Sequence, residues 1–377
     1  MSCQPSRRDF LSAAAALPAA VSIPSGPAIR HATLGRTGLK VTKFVCGSMI
    51  TSDPAVIERA YDLGVNCFAS ARDYQGGNNE RLLGAALKGK REKVILATES
   101  IDMMWRPKTE KETAAYVLGN LEKSLKELQT DYVDLFFLHH KDEPSWIPED
   151  AVGAVCSAKK QGKLRHAGIT THGLPKMVDY LLKSDLFEAV IATYNFTMDA
   201  AMHAAVKKVH DAGVGVIAMK VMAGGMRTDR PLPQFKRPGA LMAALKWAMH
   251  NPNVDAAVSS VADMDQVEDN VRAMSEALTE GEQRLLAAAL REFGPAYCRM
   301  CGRCEGTCAQ GLPIPEILRC GMYAEGYGQF ALGRSKFLEL PEAARDARCD
   351  DCAGCTVRCA YGVQVAERIS RTQELLA

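Results

Sequence analysis

The chain has 377 residues, 47% of them hydrophobic and 24% charged, enough to bury a large core and to form more than one domain. Its formal charge of +2 gives no electrostatic reason to expect a nucleic acid or an anionic membrane as partner. No apolar run approaches the ~20 residues that a membrane-spanning helix needs, so a stable membrane span is not expected.

The first segment reads SRRDFL, followed by an Ala-rich apolar stretch from Leu11 to Ile23. Arg7 and Arg8, then Phe10 and Leu11, then a modest hydrophobic region resemble a twin-arginine export signal. Gly26-Pro27-Ala28 offers a small-x-small cleavage site. The alternative is a mildly apolar, unstructured tail. Residues 1–28 are therefore expected to send the chain to the periplasm, or otherwise outside, already folded and loaded with cofactor.

Between residues 30 and 292 short apolar runs alternate with longer amphipathic segments. The runs are 65–68, 94–98, 132–138, 166–170, 189–195, 214–220 and 255–261, with an earlier one around 44–46. Helical patterns follow them, for example at 112–127 and 200–212. Strands buried on both faces read as near-continuous apolar runs, and eight strand–helix units of this kind describe an α/β fold, the (β/α)8 TIM barrel. Catalytic groups in such barrels stand at the C-terminal ends of the strands. That rule singles out Ala69, Tyr74, Glu99, His139, Thr170, Thr171, His172, Tyr194, Asn195 and Lys220.

Residues 293–377 carry one spacing twice: Cys298, Cys301, Cys304, Cys308, then Cys349, Cys352, Cys355, Cys359. Both runs read C-x2-C-x2-C-x3-C, the bacterial ferredoxin pattern for [4Fe–4S] clusters. Two-residue gaps let three thiolates of one tight loop grip three corners of a cube. The fourth corner is left to a more distant cysteine. Zinc, which favours pairs of C-x2-C, and disulfides are the rival readings. Ala309 and Ala360 replace the proline that usually follows the fourth Cys. Cys320 fits neither run, and Cys46, Cys67 and Cys156 sit in apolar stretches as candidate core thiols. A small helical ferredoxin-like domain with two clusters is the expectation, and resemblance to two-cluster ferredoxins implies crossed ligation. Cys359 would join Cys298, Cys301 and Cys304, and Cys308 would join Cys349, Cys352 and Cys355.

The barrel segment resembles the aldo/keto reductases, in the branch with a ferredoxin-like C-terminal extension. LGRTGLKVT at 34–42 matches the family's N-terminal hairpin, and GVNCFASARDY at 64–74 its second strand and loop. DLFFLH at 134–139 matches the fourth strand, Tyr194–Asn195 the sixth and GVIAMK at 215–220 the seventh. The family reduces carbonyls with a nicotinamide cofactor through Asp, Tyr, Lys and His. The Tyr is the general acid, and the Lys, held by the Asp, lowers its pKa.

Tyr74 and His139 stand in the expected places, but Ala69 replaces the Asp and Glu99 the Lys. A carboxylate there disfavours the phenolate of Tyr74. Lys220 and Arg72 are the cations that could answer Glu99. The resemblance also places Ser260 and Gln266 where Lys and Arg usually hold the 2′-phosphate, while Asp269 and Asn270 keep the adenine side. Thr170 and Thr171 replace the pair that holds the carboxamide, and Tyr194 remains to stack on the nicotinamide. NADP is expected to bind weakly; NAD, or no dinucleotide, remains open.

The sequence thus presents Tyr74, Glu99 and His139 as a catalytic group for a small carbonyl or alcohol, with a redox protein or electron carrier as partner. The competing account is a barrel that has lost catalysis and serves electron transfer or docking.

Overall fold

The computed structural model describes residues 28–100, 114–224, 239–349 and 352–377. The proposed signal therefore lies, apart from Ala28, outside the described residues. A short antiparallel hairpin, β1 (His31–Thr33) and β2 (Lys40–Thr42), precedes the barrel. Eight parallel strands then close on themselves: β3 (Phe44–Gly47), β4 (Cys67–Ala69), β5 (Ile95–Glu99), β6 (Val133–Leu138), β7 (Leu164–Thr171), β8 (Phe187–Thr193), β9 (Gly215–Met219) and β10 (Ala256–Ser260), with β10 hydrogen-bonded to β3. Each run expected to be a strand contributes one.

The strand pleat sorts side chains into two layers. Val45, Cys67, Ala69, Ala97, Leu135, Phe137, Ala189, Ile191, Ile217 and Ala256 fill the barrel interior, and Leu34 and Val41 of the hairpin segment join them. Their neighbours in sequence, such as Phe44, Phe68, Leu96, Phe136, Ile169 and Val190, pack outward against the helices. Gly168 belongs to the inner set. It pairs with Phe137, whose ring occupies the space where a Cβ would stand.

The outer layer comprises α1 (Pro54–Asp62), α2 (Asn78–Ala86), α3 (Ala114–Leu128), α4 (Glu149–Lys160), α5 (Leu174–Lys183), α6 (Ala200–Asp211), α7 (Ala240–Met249) and α8 (Met264–Ser275). Helix α9 (Glu280–Phe293) starts with a reciprocal capping box between Thr279 and Glu282 and leads into the cysteine-rich extension. The extension is helical: α10 (Ile314–Gly321), α11 (Phe330–Leu338), α12 (Glu342–Asp346) and α13 (Val365–Leu376). Ile314, Ile317, Phe337, Val365 and Ile369 form its own core, with six of the cysteines packed at the edge.

After α10 the chain widens into a π-helical turn, Met322–Gly326. It brings the extension so close to the β9–α7 loop that a Cβ on Gly326 would collide with the Gly224 carbonyl. Among the described residues, no helix is long and apolar enough to cross a membrane.

Candidate active site and cysteine centres

Glu99 ends β5 two residues beyond Ala97, and the pleat turns both into the barrel mouth. Its side chain is buried, and the Thr170 hydroxyl on β7 donates to Oε2. His139, one residue past β6, has Nε2 3.7 Å from the same oxygen. The ring is held from behind: the His139 backbone N–H donates to Ser100 Oγ at 3.2 Å, and Nδ1 lies 3.2 Å from the Ser100 carbonyl. That contact suits a proton on Nδ1 and leaves Nε2 facing Glu99. The Tyr74 ring meets the His139 ring edge-on at 6.2 Å. The three expected catalytic side chains therefore share one corner of the mouth.

The expected cations do not both turn to Glu99. Arg72 bonds Glu80 at 2.9 Å instead, and Glu80, fully buried, also accepts from Thr98 Oγ1 at 2.6 Å. Gly77 (φ +88) permits this, because the Arg72 guanidinium occupies the place of a Cβ there. Lys220, also at positive φ, sets its ammonium 5.5 Å from the centre of the Tyr323 ring in the extension.

A cavity of about 770 Å3 opens over this corner, walled by Ala69, Ser70, Tyr74, Glu99, Met219 and Lys220. Its remaining wall includes Tyr327, contributed by the extension. Burial, then the neighbouring Tyr323 and Tyr297, push the Tyr327 hydroxyl well above 10, so it stays a neutral donor. No motif singles out Tyr327; its closeness follows only from the packing of the extension on the mouth.

The residues expected to hold a nicotinamide cofactor are dispersed. Thr170 is engaged by Glu99, and Thr171, of opposite pleat parity, donates to Asp142 Oδ1 at 2.8 Å. Tyr194 points outward into the helix layer. Its hydroxyl lies 2.7 Å from His203 Nδ1, accepts from Asn251 at 3.2 Å, and its ring packs on Trp247. Of the five, only Lys220 lines the main cavity. Asn270 and Asp269 line a separate cavity of about 420 Å3 with Ser260 and Gln266. Asn270 Oδ1 is buried there without a hydrogen-bond partner, while Gln266 spends its amide on Asp263 and the Ala262 N–H. Asp269 and Asn270 thus share a pocket of their own, while Thr170, Thr171 and Tyr194 turn to three different partners.

In the extension, Cys298, Cys301, Cys304 and Cys359 line one cavity of about 400 Å3. Burial pushes the Cys298 thiol far up, and Cys304, Cys301 and Cys359 add to the rise against a hydrogen bond from the Met300 N–H. Cys304 is pushed up to about 11, first by burial and then by Cys301, with Cys359 contributing. Thiols crowded in this way resist ionisation on their own, whereas a coordinating metal would deprotonate them outright.

The second group is drawn together by Thr356. Its hydroxyl donates to the Thr307 carbonyl at 2.8 Å and accepts from the Ala309 N–H at 3.3 Å, setting the Cys308 loop beside Cys352 and Cys355. Among the described residues the cysteines are unbridged, and no three of their sulfurs lie within 4.8 Å of one another. Four thiols sharing one cavity are a donor set that fits thiolate ligation of a metal. Of the other thiols, Cys46, Cys67 and Cys320 are buried and Cys156 is half-buried.

A closed eight-stranded parallel barrel with its polar side chains gathered at the C-terminal mouth is a TIM barrel in architecture and in the placement of its site. The chain belongs to the aldo/keto reductase family, whose sequence model matches residues 51–238. It is 27% identical over 289 residues to an L-galactose dehydrogenase of Arabidopsis thaliana, covering 64% of this chain and 87% of that one. To an L-glyceraldehyde 3-phosphate reductase of Escherichia coli it is 26% identical over 302 residues, covering 64% and 86%. The holo form of an aldo-keto reductase from Bacillus halodurans superposes with a TM-score of 0.59 at 26% identity, covering 70% of this chain and 96% of that one.

Proposed function

We propose that the chain is an exported iron–sulfur oxidoreductase that interconverts a small carbonyl, of the sugar-derived class, and its alcohol. A redox protein or small electron carrier would be its partner. One observation carries the reading: the cavity holding Tyr74 and Glu99 is closed on one side by Tyr327 of the extension. Gly224 lines both that cavity and a second one, of about 440 Å3, whose wall includes Cys298. Asn195 spans the same gap, donating to the Lys220 carbonyl at 3.0 Å and to the Tyr297 hydroxyl at 3.3 Å, and Tyr297 precedes Cys298. The galactose and glyceraldehyde-phosphate activities named for two relatives support a small polyhydroxylated substrate.

Glu99, held by Thr170, is placed to take the proton of a substrate hydroxyl on oxidation and to return it on reduction. His139 orients the substrate oxygen, and Tyr74 closes that side of the pocket. Cys298, Cys301, Cys304 and Cys359 would hold one cubane cluster, and Cys349, Cys352, Cys355 and Cys308 the other. Two such clusters, when bound, would supply two one-electron equivalents; carbonyl–alcohol interconversion takes these together with two protons, one exchanged at oxygen by Glu99 and one exchanged at carbon with water. No step is assigned to a nicotinamide cofactor, because Thr170, Thr171 and Tyr194 are committed elsewhere. Export by the twin-arginine route suits a chain loaded with clusters before translocation.

The test uses chain purified without oxygen and reduced with dithionite. Small aldehydes and ketoses are expected to restore the visible absorbance of the oxidised clusters, and Glu99→Gln to abolish the response. A chain inert to carbonyls when reduced, and to alcohols when oxidised, would leave the barrel a docking scaffold.

A further inference from the structure

Behind the mouth, where α10 packs on the barrel, four polar side chains from three segments converge. His140, at φ +54, and Asp142 follow β6, His172 follows β7, and Glu316 lies in the first turn of α10. His140 Nε2 is 3.2 Å and His172 Nδ1 3.4 Å from Asp142 Oδ2, and the ligand atoms of these three residues lie within 4.8 Å of one another. Glu316 Oε1 stands 3.8 Å from His140 Nε2. The imidazoles pack edge to face at 4.6 Å. The side chains of His140, His172 and Glu316 are 0%, 5% and 7% exposed.

This group is prepared in the manner of a coordination site. The second oxygen of Asp142 is fixed by the Thr171 hydroxyl at 2.8 Å and by the backbone N–H groups of His172 at 2.6 Å and Gly173 at 3.2 Å. That leaves Oδ2 turned inward. Glu316 is steadied through its other oxygen by Arg319 at 2.5 Å. Outer contacts of this kind orient the ligands of metal sites. His172 Nδ1, by contrast, is buried without a hydrogen bond, its approach to Asp142 being too oblique to make one.

We propose that His140, Asp142 and His172, with Glu316 as fourth donor, bind one divalent transition-metal ion, zinc by preference. Two neutral imidazoles and two carboxylates balance its charge. Four protein ligands in a buried setting describe a closed structural site rather than a catalytic one. Three ligands come from the barrel and one from α10, so the ion fastens the cysteine-rich extension onto the active-site mouth.

The full chain, purified without oxygen and equilibrated with zinc chloride, is analysed for metal content and by zinc X-ray absorption. The expected result is one zinc per chain in a shell of nitrogen and oxygen at ~2.0–2.1 Å, without the ~2.3 Å sulfur shell of a cysteine site. Glu316→Gln is expected to weaken zinc binding at least ~10-fold, and His172→Ala to abolish it, with iron content unchanged in both. Zinc found only with sulfur neighbours, no zinc retained by the unaltered chain, or full retention by folded His172→Ala would each overturn the proposal. The readout is independent of turnover, so it stands or falls apart from the activity proposed above.

Discussion

Tyr327, from the extension, and Glu99, at the end of β5, face the same cavity. The active-site mouth is thus completed by a segment outside the barrel. Tyr327 also remains protonated far above neutral pH, so its hydroxyl is a standing donor toward whatever occupies the cavity.

This arrangement separates two effects. Glu99→Gln keeps the shape of the side chain and removes its basicity, so turnover is expected to fall by about 10²–10⁴-fold with little change in substrate binding. Tyr327→Phe keeps the wall and removes one donor, so binding is expected to weaken by about 10-fold with turnover largely kept. Stopped-flow reoxidation of the reduced clusters across a range of carbonyl concentrations measures both. A larger loss of turnover in the Tyr327 variant than in the Glu99 variant would reverse the roles.

The gathering of Cys359 with Cys298, Cys301 and Cys304 makes a non-additive prediction. Cys298→Ala and Cys359→Ala are each expected to remove about four of about eight iron atoms, and the double variant no more than either alone. Cys308→Ala combined with Cys359→Ala is expected to lose nearly all. Iron analysis with electron paramagnetic resonance of the reduced chain decides it. Additive loss in the Cys298, Cys359 pair would mean uncrossed ligation.

The barrel was legible because buried parallel strands leave continuous apolar runs. Strand-end reasoning selected Glu99, His139 and Tyr194 alike, yet Glu99 lines the mouth while Tyr194 turns into the helix layer. The pleat supplies the reason: Ala189 and Ile191 point inward, so the even position 194 must point out. The same parity sends Thr170 to Glu99 and Thr171 to Asp142. Parity was present in the sequence, whereas the contacts of Tyr327 and Glu316 were not. Both depend on how the extension packs against the barrel, which no local pattern encodes. Arg72 turns away from Glu99 for a related reason, since its partner Glu80 lies on α2 and is fully buried.

That buried pair carries a stability prediction. Arg72→Ala strands the Glu80 carboxylate with only the Thr98 hydroxyl, and is expected to cost about 3–5 kcal/mol. Because Arg72 stands two residues before Tyr74, turnover should fall as well. Adding Glu80→Gln removes the unpaired charge and is expected to restore much of the loss. Urea unfolding followed by far-ultraviolet circular dichroism measures both. If the double variant is no more stable than Arg72→Ala alone, the charge is not the cause.

Asp199 gives the pH-dependent case, because it joins the barrel to the cysteine-bearing loops. Oδ1 caps α6 by accepting from the Met202 N–H at 3.0 Å, and Oδ2 accepts from the Tyr361 hydroxyl at 2.5 Å and from Arg303. Burial alone would raise its pKa, but these bonds outweigh it and hold the carboxyl below its usual 3.8. Tyr361 is pushed up to about 12, first by burial and then by Asp199, so it keeps the proton it donates. A carboxyl depressed in the folded state stabilises above its unfolded pKa, and that contribution is lost as pH falls through the folded value. Asp199→Asn keeps a good cap and loses only the charge, so near neutral pH it is expected to cost no more than about 1 kcal/mol at this partly solvated site. Asp199→Ala also loses the cap, adding about 0.5–2 kcal/mol. As pH falls through the depressed folded value the unaltered chain protonates Asp199 itself, so its advantage over Asp199→Asn is expected to shrink. Urea unfolding of both chains at neutral and acidic pH tests this. A constant gap would show that the ionised carboxylate contributes nothing to holding the cysteine-bearing loops on the barrel.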